Sequence, residues 1–141
     1  MVKVAGRLCL AMAMSFLAGC SNRTSEPEPL FSDIDAARTA WLANRPASYE
    51  FDVTIGASIL IGPLHVTVAG GRVASALDAH GKPVPTFTTT IDSIWSSIID
   101  FRARGQLNSA QFNARGVPIE IDLGRPEVDS GIHYSVRSFS D

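Results

Sequence analysis

Cysteine is nearly absent from this chain: its 141 residues hold two, Cys9 and Cys20, and none lies beyond position 20. A disulfide within everything that follows is therefore excluded, and stability there has to come from packing. Long apolar runs are missing too. The longest, residues 8–17, has ten residues, about half of the roughly 20 that a helix needs to cross ~30 Å of hydrocarbon. Positive charge is in short supply, with 12 Lys and Arg against 14 Asp and Glu. That balance argues against nucleic acid as a partner, because phosphates call for a basic patch. Catalytic signatures are lacking as well: there is no HExxH, no CxxC, no GxSxG elbow and no SxxK at a helix start. The three histidines, His65, His80 and His133, are spread out rather than clustered at zinc-ligand spacing. No cofactor is implied.

What is present begins with the N-terminal stretch. Lys3 and Arg7 form a positive segment, the apolar run LCLAMAMSFL follows, and Leu17-Ala18-Gly19-Cys20 closes it. Charge, apolar length and small residues in that order describe a secretory leader. The Leu-Ala-Gly-Cys run resembles a bacterial lipobox, which implies cleavage before Cys20 and acylation of its thiol. Residues 1–19 are thus expected to be a lipoprotein signal peptide, and Cys20 the lipid-bearing N-terminus. Each buried methylene contributes about 0.8 kcal/mol, so one acyl chain holds marginally whereas two or three anchor stably. Ser21, where an Asp would retain a lipoprotein at the inner membrane, points to the outer membrane facing the periplasm. The expected location is the bacterial cell envelope, with the lipid bilayer as a partner through Cys20.

Without the leader, 10 basic residues face 14 acidic ones, a balance of −4 over 122 residues. Residues 20–30 read as a lipidated cysteine and a flexible tether, since SNRTSEPEP is polar and carries two prolines. That polar stretch spans about 30 Å when extended. Residues 31–141 have the length of one domain, which buries about 65% of its unfolded surface.

Within that domain, SDID predicts a helix start with Ser32 as N-cap and Phe31 as a hydrophobic staple. Ile34, Ala37, Trp41 and Leu42 supply an apolar stripe, and Pro46 ends the helix. In YEFDVTI, Tyr49, Phe51, Val53 and Ile55 alternate with Glu50, Asp52 and Thr54, the pattern of a half-buried strand. Leu64 to Val68 and Val73 to Leu77 flank Gly70-Gly71 and read as a hairpin. Residues 56–63 mix glycine and proline with Ile59-Leu60-Ile61, leaving strand and loop both open. Thr90 caps a second helix carrying Ile91, Ile94, Trp95, Ile98 and Phe101, which Gly105 closes. Strands over 106–113, 117–123 and 132–139 follow. The predicted class is α+β in two layers: an antiparallel sheet of about five to six strands with two helices on one face, in the order α-β-β(-β)-α-β-β-β. The two Trp-bearing helices, each followed by a glycine-turned hairpin, hint at a duplicated unit.

YEFDVT, VTVAGGRV, TIDSIWSSI, QFNARGVPIEIDL and HYSVRSF together resemble a family of small secreted or lipid-anchored bacterial proteins. That family is built on a domain of unknown function, number 6174. The likeness covers most of residues 41–139. Its most telling piece is Phe112 to Asp122, where Phe112, Gly116, Pro118 and Asp122 follow the family outline. Asn113 stands where an acid is usual, Val117 where an aromatic is common, and GASILIGP where many relatives carry cysteines. The resemblance implies a fold and a location but no reaction.

The carboxylates are the remaining candidates for chemistry. Glu50 and Asp52 share one strand face, as do Glu120 and Asp122, because residues i and i+2 point the same way. Glu127 and Asp129 lie in the loop after the second pair. If the strands are close, the acids can coordinate Ca²⁺ through oxygen ligands or raise one carboxyl pKa for acid/base work. The competing expectation is a solvated strand face, with His133, Ser135 and Arg137 pairing these acids and leaving nothing vacant. The function expected from the whole is a non-enzymatic binding module meeting an envelope protein or cell-wall partner. The alternative is a small envelope hydrolase, or a Ca²⁺-binding protein, using the acidic cluster.

Overall fold

The computed structural model describes residues 33–125 and 131–141. Cys20, its leader and tether, and Glu127 and Asp129 lie outside the described residues. The first helix, α1, is Ile34–Asn44, and its N-cap is Asp33, whose carboxylate accepts from Asp35 N at 2.9 Å and Ala36 N at 3.2 Å. The expected cap at Ser32 is therefore corrected by one residue: SDID offers two capping side chains in succession, and the second is used. Pro46 ends α1 by holding Arg45 extended, at φ −61° and ψ 115°.

Three strands follow, β1 (Ser48–Gly56), β2 (Leu60–Ala69) and β3 (Arg72–Leu77). The ambiguous segment 56–63 proves to be a turn leading into strand, since Ile55 pairs Ile61 and Gly56 pairs Leu60. Then come α2 (Ile91–Ala103), β4 (Leu107–Phe112), β5 (Pro118–Leu123) and β6 (Ile132–Ser140). All six strands join one antiparallel sheet in the order β3-β2-β1-β6-β5-β4. Each half of the chain is thus a helix and a three-strand meander, and the halves meet where β1 pairs β6. The α+β architecture read from the sequence is the one observed.

α2 begins with a reciprocal cap, in which Thr90 accepts from Ser93 N and the Ser93 hydroxyl accepts from Thr90 N. Its stripe of Ile91, Ile94, Trp95 and Ile98 is buried against the inner face of the sheet, where Phe51, Val53, Val66, Ile121 and Val136 are equally covered. The Trp95 indole stacks on Phe112 with centroids 4.7 Å apart and donates to Gly116 O at 3.1 Å. Tyr49 carries the other end of α2, its hydroxyl accepting from Ile91 N at 3.2 Å. Burial pushes the Tyr49 phenol up to about 12.

α1 lies beside α2 and against the turn that joins β4 to β5. Of its expected stripe, Ala37 and Trp41 are buried, whereas Leu42 is 58% exposed. Trp41 meets Tyr49 edge-on at 5.7 Å and donates from its indole to Asp92 at 3.1 Å. The close approach is made possible by Gly116 (φ +77°), where a Cβ would stand 2.0 Å from Ala37 O. Asn113 holds that turn in shape, its side-chain oxygen accepting from Arg115 N and Val117 N at 3.0 Å each.

Candidate binding face on the open side of the sheet

The helices cover one side of the sheet only, and the strand period of two sends every second side chain to the other. On β1 the outward residues are Glu50, Asp52 and Thr54; on β2, His65 and Thr67. On β6 they are His133, Ser135 and Arg137; on β5, Glu120 and Asp122. The four candidate carboxylates among the described residues, Glu50, Asp52, Glu120 and Asp122, therefore share the open face. They are not contiguous, because β6 runs between β1 and β5.

Two local clusters result, built on the same plan. In the first, Asp52 pairs with His65 across the strands, Nδ1 to Oδ1 at 2.8 Å, and the other ring nitrogen faces Glu50 at 3.7 Å. The Thr67 hydroxyl donates to Glu50 at 3.5 Å. In the second, Asp122 pairs with His133 at 2.9 Å, and the other ring nitrogen faces Glu120 at 3.0 Å. Ser135 donates to Glu120 at 2.9 Å, and Arg137 joins the same carboxylate at 2.5 Å. Ser109 on β4 donates to Asp122 at 3.2 Å. A Glu-x-Asp strand beside a His-x-Ser/Thr strand thus occurs twice, each time as a hairpin. His65 and Thr67 were not grouped with the acids from sequence. The signal was there in Glu50-Phe51-Asp52…His65-Val66-Thr67 and Glu120-Ile121-Asp122…His133-Tyr134-Ser135.

Register fixes how far apart the clusters sit. Asp52 is level with Arg137 on β6, and Asp122 is level with His133, four residues further along that strand. Two strand spacings and four residues amount to about 10 Å across and about 13 Å along the sheet. Even the nearest pair, Asp52 and Glu120, is two strands and two residues apart, about 10 Å by about 7 Å, too far to share one cation or one reacting atom. Among the described residues, no group of three or more His, Cys, Asp or Glu side chains is arranged to hold a metal ion. The structure places the four acids on an open surface and does not bring them into one pocket. A recess of about 820 Å³ at the far end of β5 and β6 is lined by Asp122, His133 and Arg125, together with Gly56 and Leu107, and takes in none of the other three acids. A second one, of about 680 Å³, lies between the helices over Trp41, Leu42 and Ile99, with Arg45 bonded to Asp92 at its rim.

Two features beyond this face stand out. Ile59, Leu60 and Ile61, at the turn from β1 to β2, are 72%, 71% and 43% exposed. Among the described residues, no helix is long and apolar enough to cross a membrane.

Compared with known proteins, residues 33–141 match the model of a family described as a family of unknown function, DUF6174. No curated protein and no solved structure matches the chain.

Proposed function

The chain belongs to the DUF6174 family, and within it we propose a lipid-anchored protein of the bacterial envelope, held by Cys20, that presents the open face of its sheet to an envelope protein or cell-wall partner. The anchor rests on the leader and its Leu17-Ala18-Gly19-Cys20 run. The binding role rests on one observation above all. A broad polar face, uncovered by either helix, carries acids, imidazoles, hydroxyls and a guanidinium in a repeated pattern. Each carboxylate there already accepts from a neighbour, so the face has the character of a recognition surface rather than of a reacting centre. No specific observation favours the hydrolase, which requires Glu50, Asp52, Glu120 and Asp122 in one pocket.

Two measurements test the reading. Mass spectrometry of the N-terminal peptide should find acyl groups on Cys20, and Cys20→Ala should shift electrophoretic mobility and release the protein from the membrane fraction. Unchanged mobility and retention would remove the anchor. For the face, cross-linking in intact envelopes should give a discrete adduct that disappears in an Asp52→Lys/Glu120→Lys variant. An adduct equally strong in that variant would assign binding elsewhere.

A further inference from the structure

The tip of the β1–β2 hairpin has a chemistry unlike the rest of the surface. Twelve consecutive residues, 53–64, carry no charge, and they are bounded by Asp52 and His65. Within them Ile59, Leu60 and Ile61 are three successive aliphatic residues, 72%, 71% and 43% exposed. The backbone beneath is paired on its β1 side, Ile55 with Ile61, Gly56 with Leu60, and Ala57 N to Ile59 O at 3.3 Å, while pairing with β3 begins only at His65. A hairpin tip that offers aliphatic carbon can seat in the boundary between headgroups and acyl chains, where water still reaches the amides it leaves unpaired.

The tip suits a protein partner less well. Protein interfaces are anchored by Trp, Tyr and Arg seated in pockets, and this tip holds none of the three and projects rather than recedes. The chain preceding the domain permits a membrane contact. Twelve residues separate Cys20 from Asp33, a reach of about 40 Å. The nine residues of β1 span only about 30 Å, so the tether is long enough for the tip to face the surface that holds Cys20.

We propose that Ile59, Leu60 and Ile61 form a membrane-seating tip, which inserts into the acyl boundary of the bilayer and so orients the domain. The inference rests on the anchoring reading for proximity to the bilayer, and its own test is separate. The protein is the full chain in isolated bacterial membranes, with a photoreactive diazirine side chain at position 60 or, as control, at position 42. Leu42 is a second exposed aliphatic, on α1. Irradiation should yield lipid adducts at position 60 in clear excess over position 42. Adducts at position 60 that are mainly to protein, or no excess over position 42, would overturn the proposal. An Ile59→Ser/Ile61→Ser variant, checked by its melting curve to be folded, should lower the yield of lipid adducts at position 60; an unchanged yield counts against insertion. The Cys20→Ala arm keeps the two readings apart. Retention through Cys20 without lipid adducts at position 60 would sink the tip and spare the anchor. Lipid adducts at position 60 with mobility unchanged by Cys20→Ala would do the reverse.

Discussion

Gly116→Ala is the substitution for which the structure makes the sharpest demand. Its backbone sits at φ +77°, a region that costs a residue with a Cβ about 1–2 kcal/mol. The added carbon would also stand 2.0 Å from Ala37 O and 2.6 Å from Trp41 N, both backbone atoms of α1. Neither can swing aside as a side chain does, so α1 and the β4–β5 turn must separate by more than 1 Å. Separation uncovers Trp41 and Ala37, the two buried residues of α1. Losing all of a buried Trp costs about 3–5 kcal/mol, and lifting it partly costs a fraction of that. The expected total is about 3–5 kcal/mol, a large share of the 5–15 kcal/mol typical of a whole domain. Gly70→Ala is the matched control: its φ is +58°, yet a Cβ there meets nothing within 4 Å. It should lose only about 1 kcal/mol. Urea unfolding of both variants, read from midpoints at constant slope, separates the conformational cost from the collision. If the two losses agree to within about 0.5 kcal/mol, the packing of α1 on the turn has been misread.

Asn113→Ala should cost about 2–3 kcal/mol in the same assay, because Arg115 N and Val117 N both lose their acceptor. Asn113→Asp keeps an accepting oxygen and should stay within about 1 kcal/mol of the parent. Tyr49→Phe removes the acceptor for Ile91 N and should cost about 1 kcal/mol at neutral pH. Burial holds the phenol neutral up to about 12, above its ordinary 10.0; this contribution to stability is full below 10.0 and fades as pH rises towards 12. Alkaline melting curves of the Phe variant should lack that slope. Arg102 bonds Asp35 and holds its carboxyl below the usual 3.8, so its contribution is present above 3.8 and is lost as pH falls through the lowered value. Asp35→Asn should flatten acid unfolding in that range.

Local chemistry carried most of the fold in legible form. The alternation of YEFDVTI, the Thr90 cap ahead of Ile91, Ile94, Trp95 and Ile98, and the glycine turn after Ala69 each point to an element that is observed. Misreadings arose where neighbours offered equivalent chemistry or where distant packing decides. Ser32 and Asp33 cap equally well by composition. Leu42 fits a helical stripe, but α1 buries only the side that meets α2 and the β4–β5 turn, and Leu42 is rotated off it. For residues 56–63, β-branched side chains pulled towards strand and Gly62-Pro63 towards loop; the pairing of Ile55 with Ile61 extends the strand. At the candidate face, the i, i+2 spacing told which acids point together on a strand. It did not tell that β6 separates the two pairs, since strand order depends on contacts far apart in sequence.

The Phe112–Asp122 segment divides between architecture and surface. Phe112 stacks on Trp95, Asn113 shapes the turn, and Gly116 admits α1, so three of its positions are explained by packing alone. An acid at 113 would accept the same two amides. Asp122 has a different position: it lies outward, bonded to His133 and Ser109. Exposed pairs of this kind contribute about 0–1 kcal/mol each, too little to account for a face ordered across β2, β1, β6 and β5. On the proposed reading, a partner that reached this face would exchange one set of weak pairs for another instead of filling an empty site. Recognition by exchange demands a surface that is ordered but inexpensive to rearrange, and solvent-exposed pairs on a rigid sheet meet both conditions.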